Sequence, residues 1–261
     1  MSLKIDDLLA YLAIKEKGDW NHIYSTLMSL KEVDEKEIVN TLKKIKCHYV
    51  SILNKDYYPE CLRNIYHPPF VLFYYGNVEL LKSCQNFQQL GVIGSRQNTE
   101  YGARMTKKLV EGVADKYLIV SGLARGIDSI AAEAAIEAGG KTIGVLGSGI
   151  NICYPTENYD LYKRMCREQL VISEYPEGVT PSIEKFPLRN RIIAGLSQSV
   201  LVTEAGNISG TSITVTLALQ MGRNIMCVPY PAGENSACNR LIKEGAFLVE
   251  TPEDIFEAIG R

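Results

Sequence analysis

The pattern of apolar and polar positions changes near residue 89: helical spacing begins the chain, and apolar runs alternating with amphipathic segments follow from residue 89 onward. In the first part, apolar residues from Ile5 to Leu12 recur three or four positions apart, as on one face of an amphipathic helix. Residues 1 to about 46 are therefore predicted to be helical, with Asp34 as the N-cap of a helix. Short helix pairs of this kind occur in DNA-binding hairpins and, more commonly, in small packing modules.

Residues 48 to 85 form a connecting region with two apolar segments, 49–53 and 70–76, which we predict to be strands. Tyrosines are frequent here, and stacking on nucleic-acid bases is one interpretation of them. Half-buried packing in a strand is the other. The lone Trp20 is interpreted as a core anchor.

From Gln89 onward, continuously apolar segments alternate with amphipathic ones. Apolar strands that alternate with helices are typical of a parallel sheet covered on both faces, and right-handed crossovers then make it doubly wound and Rossmann-like. The predicted fold is therefore α/β with a mostly parallel sheet. The predicted strands lie near 90–94, 117–121, 142–147, 170–173, 199–204, 224–229 and 246–249, and the helices near 100–115, 127–138, 157–168, 187–197, 209–222 and 238–244.

Composition excludes some classes of protein but does not identify a binding partner. The 261 residues are 46% hydrophobic and 22% charged, with a net charge of −2, so any anion site must be a local concentration of Lys and Arg. The seven cysteines lie at least eleven positions apart, which excludes CxxC metal or redox pairs and favours reduced thiols in a cytoplasm. No apolar run approaches the ~18 residues of a membrane helix, and no metal site is predicted.

Glycine, serine and arginine gather where the predicted parallel strands end. In such sheets ligands bind outside the carboxyl ends of the strands, and glycine loops let the backbone approach a phosphate. We therefore predict a phosphate-lined groove, although tight turns also use glycine for geometry alone. The residues concerned are Gly94, Ser95 and Arg96, Ser121, Gly122, Arg125 and Gly126, Gly147 to Gly149, Glu204 to Gly206, and Ser209, Gly210 and Thr211.

The segment from Lys185 to Leu196 is first basic and then apolar. Pro187 can occupy a first helical turn, which would place Arg189, Asn190 and Arg191 near the helix start. Cations there are unfavourable by a few tenths of a kcal/mol, so an anionic ligand is one interpretation. A solvated helix start with unrelated cations is the other.

Motifs of other ligand classes in this fold are absent. The chain has no GxGxxG fingerprint, no GxxxxGK[ST] loop and no GxSxG elbow followed by a histidine. Asp128 is predicted to cap the helix that follows it. Glu204 is predicted to hold Arg96 or an arginine of 189–191 in place, with a catalytic role as the weaker interpretation.

Several of these segments, in this order, resemble the DprA/Smf family of DNA-processing proteins. The resemblance covers about residues 65 to 250. The motifs are Gly94-Ser95-Arg96, Ser121-Gly122-Leu123-Ala124-Arg125-Gly126-Ile127-Asp128, Tyr154-Pro155 with Asn158, Ser173-Glu174-Tyr175-Pro176, Phe186-Pro187-Leu188-Arg189-Asn190-Arg191, Ser209-Gly210-Thr211 and Leu241-Ile242-Lys243-Glu244-Gly245-Ala246.

The resemblance implies an extended Rossmann-like domain at residues 66–261 after a small helical, SAM-like domain at residues 1–65. It also implies a cytoplasmic protein that binds single-stranded DNA without sequence preference, protects it and loads the RecA recombinase during natural transformation. Arg96 and the segment 185–191, with Phe186 as a base-stacking residue, would contact the DNA. No cofactor is implied.

Three departures from the family pattern stand out. Ala132 occupies a position where the family often has histidine, and Val228-Pro229 is followed by Tyr230 where the family has glycine. Many members carry a C-terminal winged-helix module, which we expect this chain to lack because it ends at Arg261.

The preferred hypothesis is a non-enzymatic single-stranded DNA-binding protein. The alternative is a nucleotide-phosphate enzyme similar to the lysine-decarboxylase-like phosphoribohydrolases, whose PGGxGTxxE motif carries a working glutamate. The nearest stretch here has Thr214 at that position, which removes the acid. A third hypothesis is a protein-interaction scaffold whose loops are structural.

Self-association is expected from the resemblance, because family members dimerise through the C-terminal part of the Rossmann domain. Leu219 lies in a helix whose leucines are spread around its axis, and Leu241 and Ile242 follow in a second apolar set. These three residues are the predicted dimer contacts. From the residues alone, burial in the core is the slightly favoured interpretation.

Overall fold

Strands from both halves of the chain form one sheet in the computed structural model, which describes residues 4–29, 33–83, 88–206, 210–234 and 236–260. The fold is α/β, and nine strands are present in these ranges. They are β1 His48–Ser51, β2 Val71–Gly76, β3 Gln88–Gly94, β4 Tyr117–Ser121, β5 Lys141–Leu146, β6 Leu170–Ser173, β7 Ser199–Glu204, β8 Asn224–Cys227 and β9 Phe247–Leu248.

The helices of the same ranges precede, connect and follow these strands. They are α1 Ile5–Lys15, α2 Trp20–Met28, α3 Glu35–Leu42, α4 Glu60–Arg63, α5 Glu79–Ser83, α6 Glu100–Val113, α7 Ile127–Glu137, α8 Tyr159–Glu168, α9 Lys185–Leu196, α10 Gly210–Gln220, α11 Ala237–Lys243 and α12 Pro252–Ile259. The predicted cap of α3 is confirmed, because the Asp34 carboxylate accepts the Lys36 N–H at 2.9 Å.

The sheet is doubly wound around β3. Its order is β1-β2-β6-β5-β4-β3-β7-β8-β9, and all neighbours from β6 to β9 are parallel. The chain moves outward from β3 to β6 and then returns to place β7 on the other side of β3. The topological switch point therefore lies between β3 and β7, which is where ligands bind in open α/β sheets.

Helices cover both faces of this sheet because its strands are apolar on both sides. On one face, α9, α10 and α11 pack against residues such as Val120, Val145 and Val202. On the other face, α6, α7 and α12 pack over the β3 side and α1 and α8 over the β6 side. Successive residues of one strand point to opposite layers, as Leu201 and Val202 do in β7.

The doubly wound α/β fold is predicted correctly, and three details differ. Helix α12 lies beyond the last predicted element, and Trp20 is not a core anchor but the half-buried first residue of α2. Strand β1 pairs antiparallel with β2, with His48 opposite Tyr74, so it lies in the same sheet as residues beyond the predicted domain boundary. The division into residues 1–65 and 66–261 stays a prediction.

Candidate functional site

The loops that follow β3, β4, β5 and β7 meet at one edge of the sheet because parallel strands end on the same side. Hydrogen bonds lock them together. The Ser95 N–H donates to the Glu204 carbonyl at 2.8 Å, and the Ile127 N–H donates to the Ser95 carbonyl at 3.1 Å. The Thr211 hydroxyl donates to the Gly94 carbonyl at 3.2 Å. The predicted grouping of these loops at the switch point is therefore present.

The hydrogen-bond donors named in these loops, however, bond to other groups of the protein. Ser121 is buried and its hydroxyl donates to the Val92 carbonyl at 2.9 Å, while the Gly122 N–H donates to the Asp128 carboxylate at 3.1 Å. Thr211 is buried as well. These particular donors are therefore engaged within the protein, and DNA contacts at Ser95, Ser121, Gly122 and Thr211 stay predictions.

At Gly94 and Gly122, glycine is required for close packing within the protein. An ideal Cβ on Gly94 would lie 2.6 Å from Ile127, and one on Gly122 would lie 2.7 Å from both Arg189 and Asp128. Gly126 has φ +76° and precedes α7 as its N-cap. Asp128 is therefore not the N-cap of α7; it lies in the first turn of the helix, and its carboxylate accepts the Gly122 N–H of the preceding loop.

Arg189 is a buried structural residue, 4% exposed, and not a solvent-facing cation. Its Nη1 donates to the Gly122 carbonyl at 2.6 Å and also to the Val145 carbonyl, and its Nε donates to the Asn190 side chain at 3.1 Å. Burial lowers the pKa of Arg189 to about 10, and burial raises the pKa of Asp128, which the Arg189 charge opposes. The Arg189 and Asp128 charges together stabilise the loop after β4.

Arg191 is also buried, at 6% exposure, on the opposite side of α9. Its Nη2 donates to both carboxylate oxygens of Glu174, at 2.6 and 2.8 Å, and its Nε donates to the His67 carbonyl at 2.9 Å. Burial raises the pKa of Glu174, and the Arg191 charge opposes this shift. The expectation that Arg189 and Arg191 face solvent together is wrong, since residues two apart point about 200° apart around a helix.

The remaining predicted residues of this region divide between the two sides of α9. The loops after β3, β4, β5 and β7 border a crevice at this edge of the sheet. Phe186 lies at the edge of the crevice beside Gly147, and an ideal Cβ on Gly147 would come within 2.8 Å of the Phe186 ring. Lys185 turns the other way: its Nζ lies 5.8 Å from the centre of the Tyr175 ring and donates to the Ser182 hydroxyl at 3.0 Å. Lys185 and Phe186 therefore do not share one contact surface.

Three side chains form a surface stack at the crevice. The Arg96 guanidinium, which is exposed, lies 5.4 Å from the centre of the half-buried Phe186 ring. On the same ring, Tyr154 stacks with a centroid distance of 5.6 Å and is 49% exposed. This Arg96–Phe186–Tyr154 stack combines an exposed cation with an exposed aromatic face, the combination that binds a phosphate and its base.

Tyr154 is absent from the contacts predicted from the sequence. It belongs to the Tyr154-Pro155 motif, and an aromatic residue before proline in a loop after a strand end is the signal that could have indicated it. The prediction rested on glycines and cations, which do not report where an isolated loop aromatic lies. Only the fold places it beside Phe186.

The other predicted contacts have varied surroundings. Arg125 is exposed and forms an ion pair with Glu157. Gly210 is exposed at the start of α10, and no atom lies within 4 Å of an ideal Cβ on it. Ser209 lies outside the described residues. Asn190 is half-buried and accepts from the Arg189 side chain.

Glu204 does not hold an arginine, contrary to expectation. Its carboxylate accepts the N–H and the hydroxyl of Thr99, both at 2.9 Å, at the start of α6. Tyr230, at the family-divergent position, fills the space beside it: its hydroxyl donates to the Thr203 carbonyl at 3.1 Å and its ring meets Tyr101 edge-on at 5.0 Å. Glu204 therefore positions the loop that carries Arg96.

The predicted dimer residues belong to α10 and α11. Leu219 is 57% exposed on α10. Leu241 and Ile242 are half-buried and pack against the core on the same side of the sheet. Leu219 is therefore mostly exposed to solvent, whereas Leu241 and Ile242 are partly buried.

Two further features bear on the kind of site. No group of three or more His, Cys, Asp or Glu side chains in the described ranges is arranged to hold a metal ion. Over the same ranges, every helix is too short or too polar to cross a membrane.

Comparison with known proteins identifies close relatives. A family model described as DNA recombination-mediator protein A matches residues 49–260. DNA processing protein DprA of Streptococcus pneumoniae is 44% identical over 207 residues, which are 78% of this chain and 72% of that protein. DNA processing protein DprA of Bacillus subtilis is 39% identical over 210 residues, 79% of this chain and 70% of that protein.

Solved structures agree with these relatives. The X-ray structure of DprA from Streptococcus pneumoniae matches with a TM-score of 0.79 and 37% identity, over 91% of this chain and 80% of that one. A structure of DNA processing protein A from Helicobacter pylori, described for its single-stranded DNA binding mode, matches with a TM-score of 0.73 and 26% identity. It covers 83% of this chain and 96% of the Helicobacter chain.

Proposed function

The chain belongs to the DNA recombination-mediator protein A family, and from this premise we propose that it binds single-stranded DNA without sequence preference and loads the RecA recombinase onto it. The observation that carries the DNA-binding part is the Arg96–Phe186–Tyr154 stack at the switch point of the sheet. Stacking is tolerant of sequence because every base has an aromatic face.

In this proposal, one base stacks on the exposed face of Tyr154, and Arg96 pairs with a neighbouring phosphate. Arg125 adds a second cation once DNA competes with its exposed partner Glu157, since a surface ion pair contributes only about 0–1 kcal/mol. Arg189 and Arg191 act behind the surface, by holding the loop after β4 and the base of α9 in place.

The Helicobacter relative supports this assignment, because its structure is described for a single-stranded DNA binding mode and covers most of this fold. RecA loading, a role in natural transformation, a cytoplasmic location and a homodimer are the further parts of the proposal. They follow from the family, with Leu219 on the exposed face of α10 as the proposed dimer contact.

A purely binding role is proposed in preference to nucleotide hydrolysis. Thr214 is buried in α10 at the position where the phosphoribohydrolases have their glutamate, and the Glu204 carboxylate is occupied by Thr99. We therefore expect no release of base from nucleoside monophosphates when these are incubated with the protein.

The experiment is fluorescence anisotropy with a labelled oligo-dT over a range of salt concentrations. Tyr154→Ala, which removes the ring on which the base stacks, is expected to weaken binding by about 1–3 kcal/mol, and Arg96→Ala to weaken it and to reduce the log–log salt slope by about 0.7. Arg167→Ala is the matched control. Arg167 is exposed and lies at the end of α8, just before β6 begins, which places it at the edge of the sheet opposite to the crevice.

Equal losses in Arg96→Ala and Arg167→Ala, or binding that does not depend on salt, would contradict the proposed interface. RecA loading is measured separately, as the rate of RecA filament formation on single-stranded DNA with and without the protein. An unchanged rate would remove that part of the proposal and leave DNA binding standing.

A further inference from the structure

Helix α9 separates the candidate DNA-binding crevice from a second groove of about 680 Å³. Phe186 and Arg189 face the crevice, whereas Lys185, Leu188 and Arg191, three positions apart, line the groove. Opposite them lie the turn between α1 and α2 and the first residues of α2, with the loop after β6 forming the floor.

Two stacked rings, Trp20 and His67, line this groove, and Tyr24 and Tyr66 extend the stack beyond its lining. Trp20 lies 4.0 Å from His67 and 5.1 Å from Tyr24 between ring centres, and Tyr66 stacks on His67 at 3.9 Å. The Trp20 indole N–H donates to the Pro68 carbonyl at 2.8 Å. Tyr66, which ends the stack, is 79% exposed, so its outer face is open to a partner.

The charge of the groove is the opposite of what a DNA backbone requires. Five carboxylates line it against three Lys and Arg side chains. Arg191 neutralises Glu174, whereas Glu16 and Glu184 have no ionic partner within the described part of the chain. Phosphates are repelled from such a surface, and lysine or arginine side chains are attracted to it.

Apolar side chains at the rim complete the surface. Leu188 is half exposed where it lines the groove, and Ile183, in the preceding loop, is almost fully exposed. An isolated exposed apolar residue is ordinary, but Leu188 lines the groove together with Trp20, His67 and Glu184, and Ile183 directly precedes Glu184 in the chain. A ligand that combines cationic and apolar side chains would match all three features.

We propose that this groove docks a basic, amphipathic segment of a partner protein. Its arginine or lysine side chains approach Glu16 and Glu184, and a guanidinium stacks on the outer face of Tyr66. Its apolar side chains pack on Leu188 and Ile183. This surface lies on the other side of α9 from the stack of Arg96, Phe186 and Tyr154, so protein docking and DNA binding are separate functions of the two sides.

The test uses a labelled short peptide in which arginine and leucine alternate, with a peptide carrying glutamate in place of arginine as its counterpart. Wild-type protein is expected to bind only the arginine peptide. The double variant Glu16→Lys with Glu184→Lys is expected to weaken binding at least about fivefold, because two attractions become repulsions. Tyr66→Ala is also expected to weaken it.

The matched control is Asp115→Lys with Glu253→Lys, an equal charge change on exposed residues that do not line the groove. Equal loss in the two double variants would mean general attraction of the peptide to an acidic protein, and would overturn the proposal. Absence of binding by the wild type would overturn it too.

Oligo-dT affinity separates this proposal from the proposed DNA interface. The groove variant is expected to bind oligo-dT as the control variant does. If it instead binds DNA more tightly than the control and the wild type ignores the peptide, the groove belongs to nucleic acid and the proposal is refuted. Loss of DNA binding in Tyr154→Ala bears only on the crevice.

Discussion

Replacing Arg191 with methionine should destabilise the whole protein, although Arg191 lies in a motif that resembles DNA contacts. The change leaves the Glu174 carboxylate buried without the two hydrogen bonds that now hold it, at 2.6 and 2.8 Å. Removing one partner of a buried ion pair costs about 3–5 kcal/mol, a large part of the ~5–15 kcal/mol by which domains are stable. The melting temperature should fall by ~6–20 °C.

The cost should depend on pH in a direction fixed by the buried carboxylate. Without Arg191, nothing opposes the effect of burial, so the pKa of Glu174 in the folded state rises further above its unfolded value of about 4.3. The folded state then binds more protons than the unfolded state, and stability falls as pH rises between these two pKa values. The deficit of Arg191→Met should therefore be largest near neutral pH and shrink on acidification.

The assay is urea denaturation followed by the fluorescence of Trp20, the only tryptophan, which stacks on the His67 ring at 4.0 Å. The double variant Glu174→Leu with Arg191→Met removes both charges and should recover most of the lost stability. A deficit of ~1–3 kcal/mol should remain, because the His67 carbonyl loses the hydrogen bond that Arg191 donates to it. Arg96→Met, at an exposed position, should change stability by no more than about 0.5 kcal/mol.

Two results would refute this reasoning. One is a stability of Arg191→Met equal to that of Arg96→Met near neutral pH. The other is a double variant no more stable than Arg191→Met alone, because the buried charge of Glu174 would then not be the source of the cost.

Three further predictions concern the crevice and self-association. Gly147→Ala should displace the Phe186 ring, which lies 2.8 Å from the added Cβ, and weaken oligo-dT binding by up to about 1–3 kcal/mol with little change in melting temperature. Gly122→Ala should lower the free energy of unfolding by about 1–3 kcal/mol in urea titration, because its Cβ meets the buried Arg189. Leu219→Arg should reduce the mass measured by light scattering from that of two chains to that of one, and an unchanged mass would remove α10 from the dimer contact.

Much of the fold could be predicted because its signals are local. Continuous apolar runs alternating with amphipathic segments indicate a parallel sheet covered on both faces, and the strand ends then follow from the ends of those runs. The position of the loops at one edge of the sheet is a consequence of parallel strands alone. Arg96, at the end of β3, is therefore placed at the switch point by its position in the chain, before any contact is known.

The roles of individual polar side chains were decided by the tertiary structure. Arg189 and Arg191 both look like surface cations in the chain, but α9 is packed on both sides, so one points to the loop after β4 and the other to Glu174. Their partners are distant in sequence, and only the packing of α9 brings them within hydrogen-bond distance. Both arginines were predicted to contact DNA, and neither their opposite directions around the helix nor their burial was inferred from the sequence.

The surface that remains for DNA is likewise a product of packing. Tyr154 lies in the loop after β5 and Phe186 in the first turn of α9, more than thirty positions apart in the chain. The two rings stack where Gly147 leaves room for the Phe186 ring. The sequence by itself determined the class of fold, the family and the edge of the sheet at which a ligand binds. The tertiary structure decided which side chains reach that edge, because burial and hydrogen bonding depend on neighbours that local periodicity does not encode.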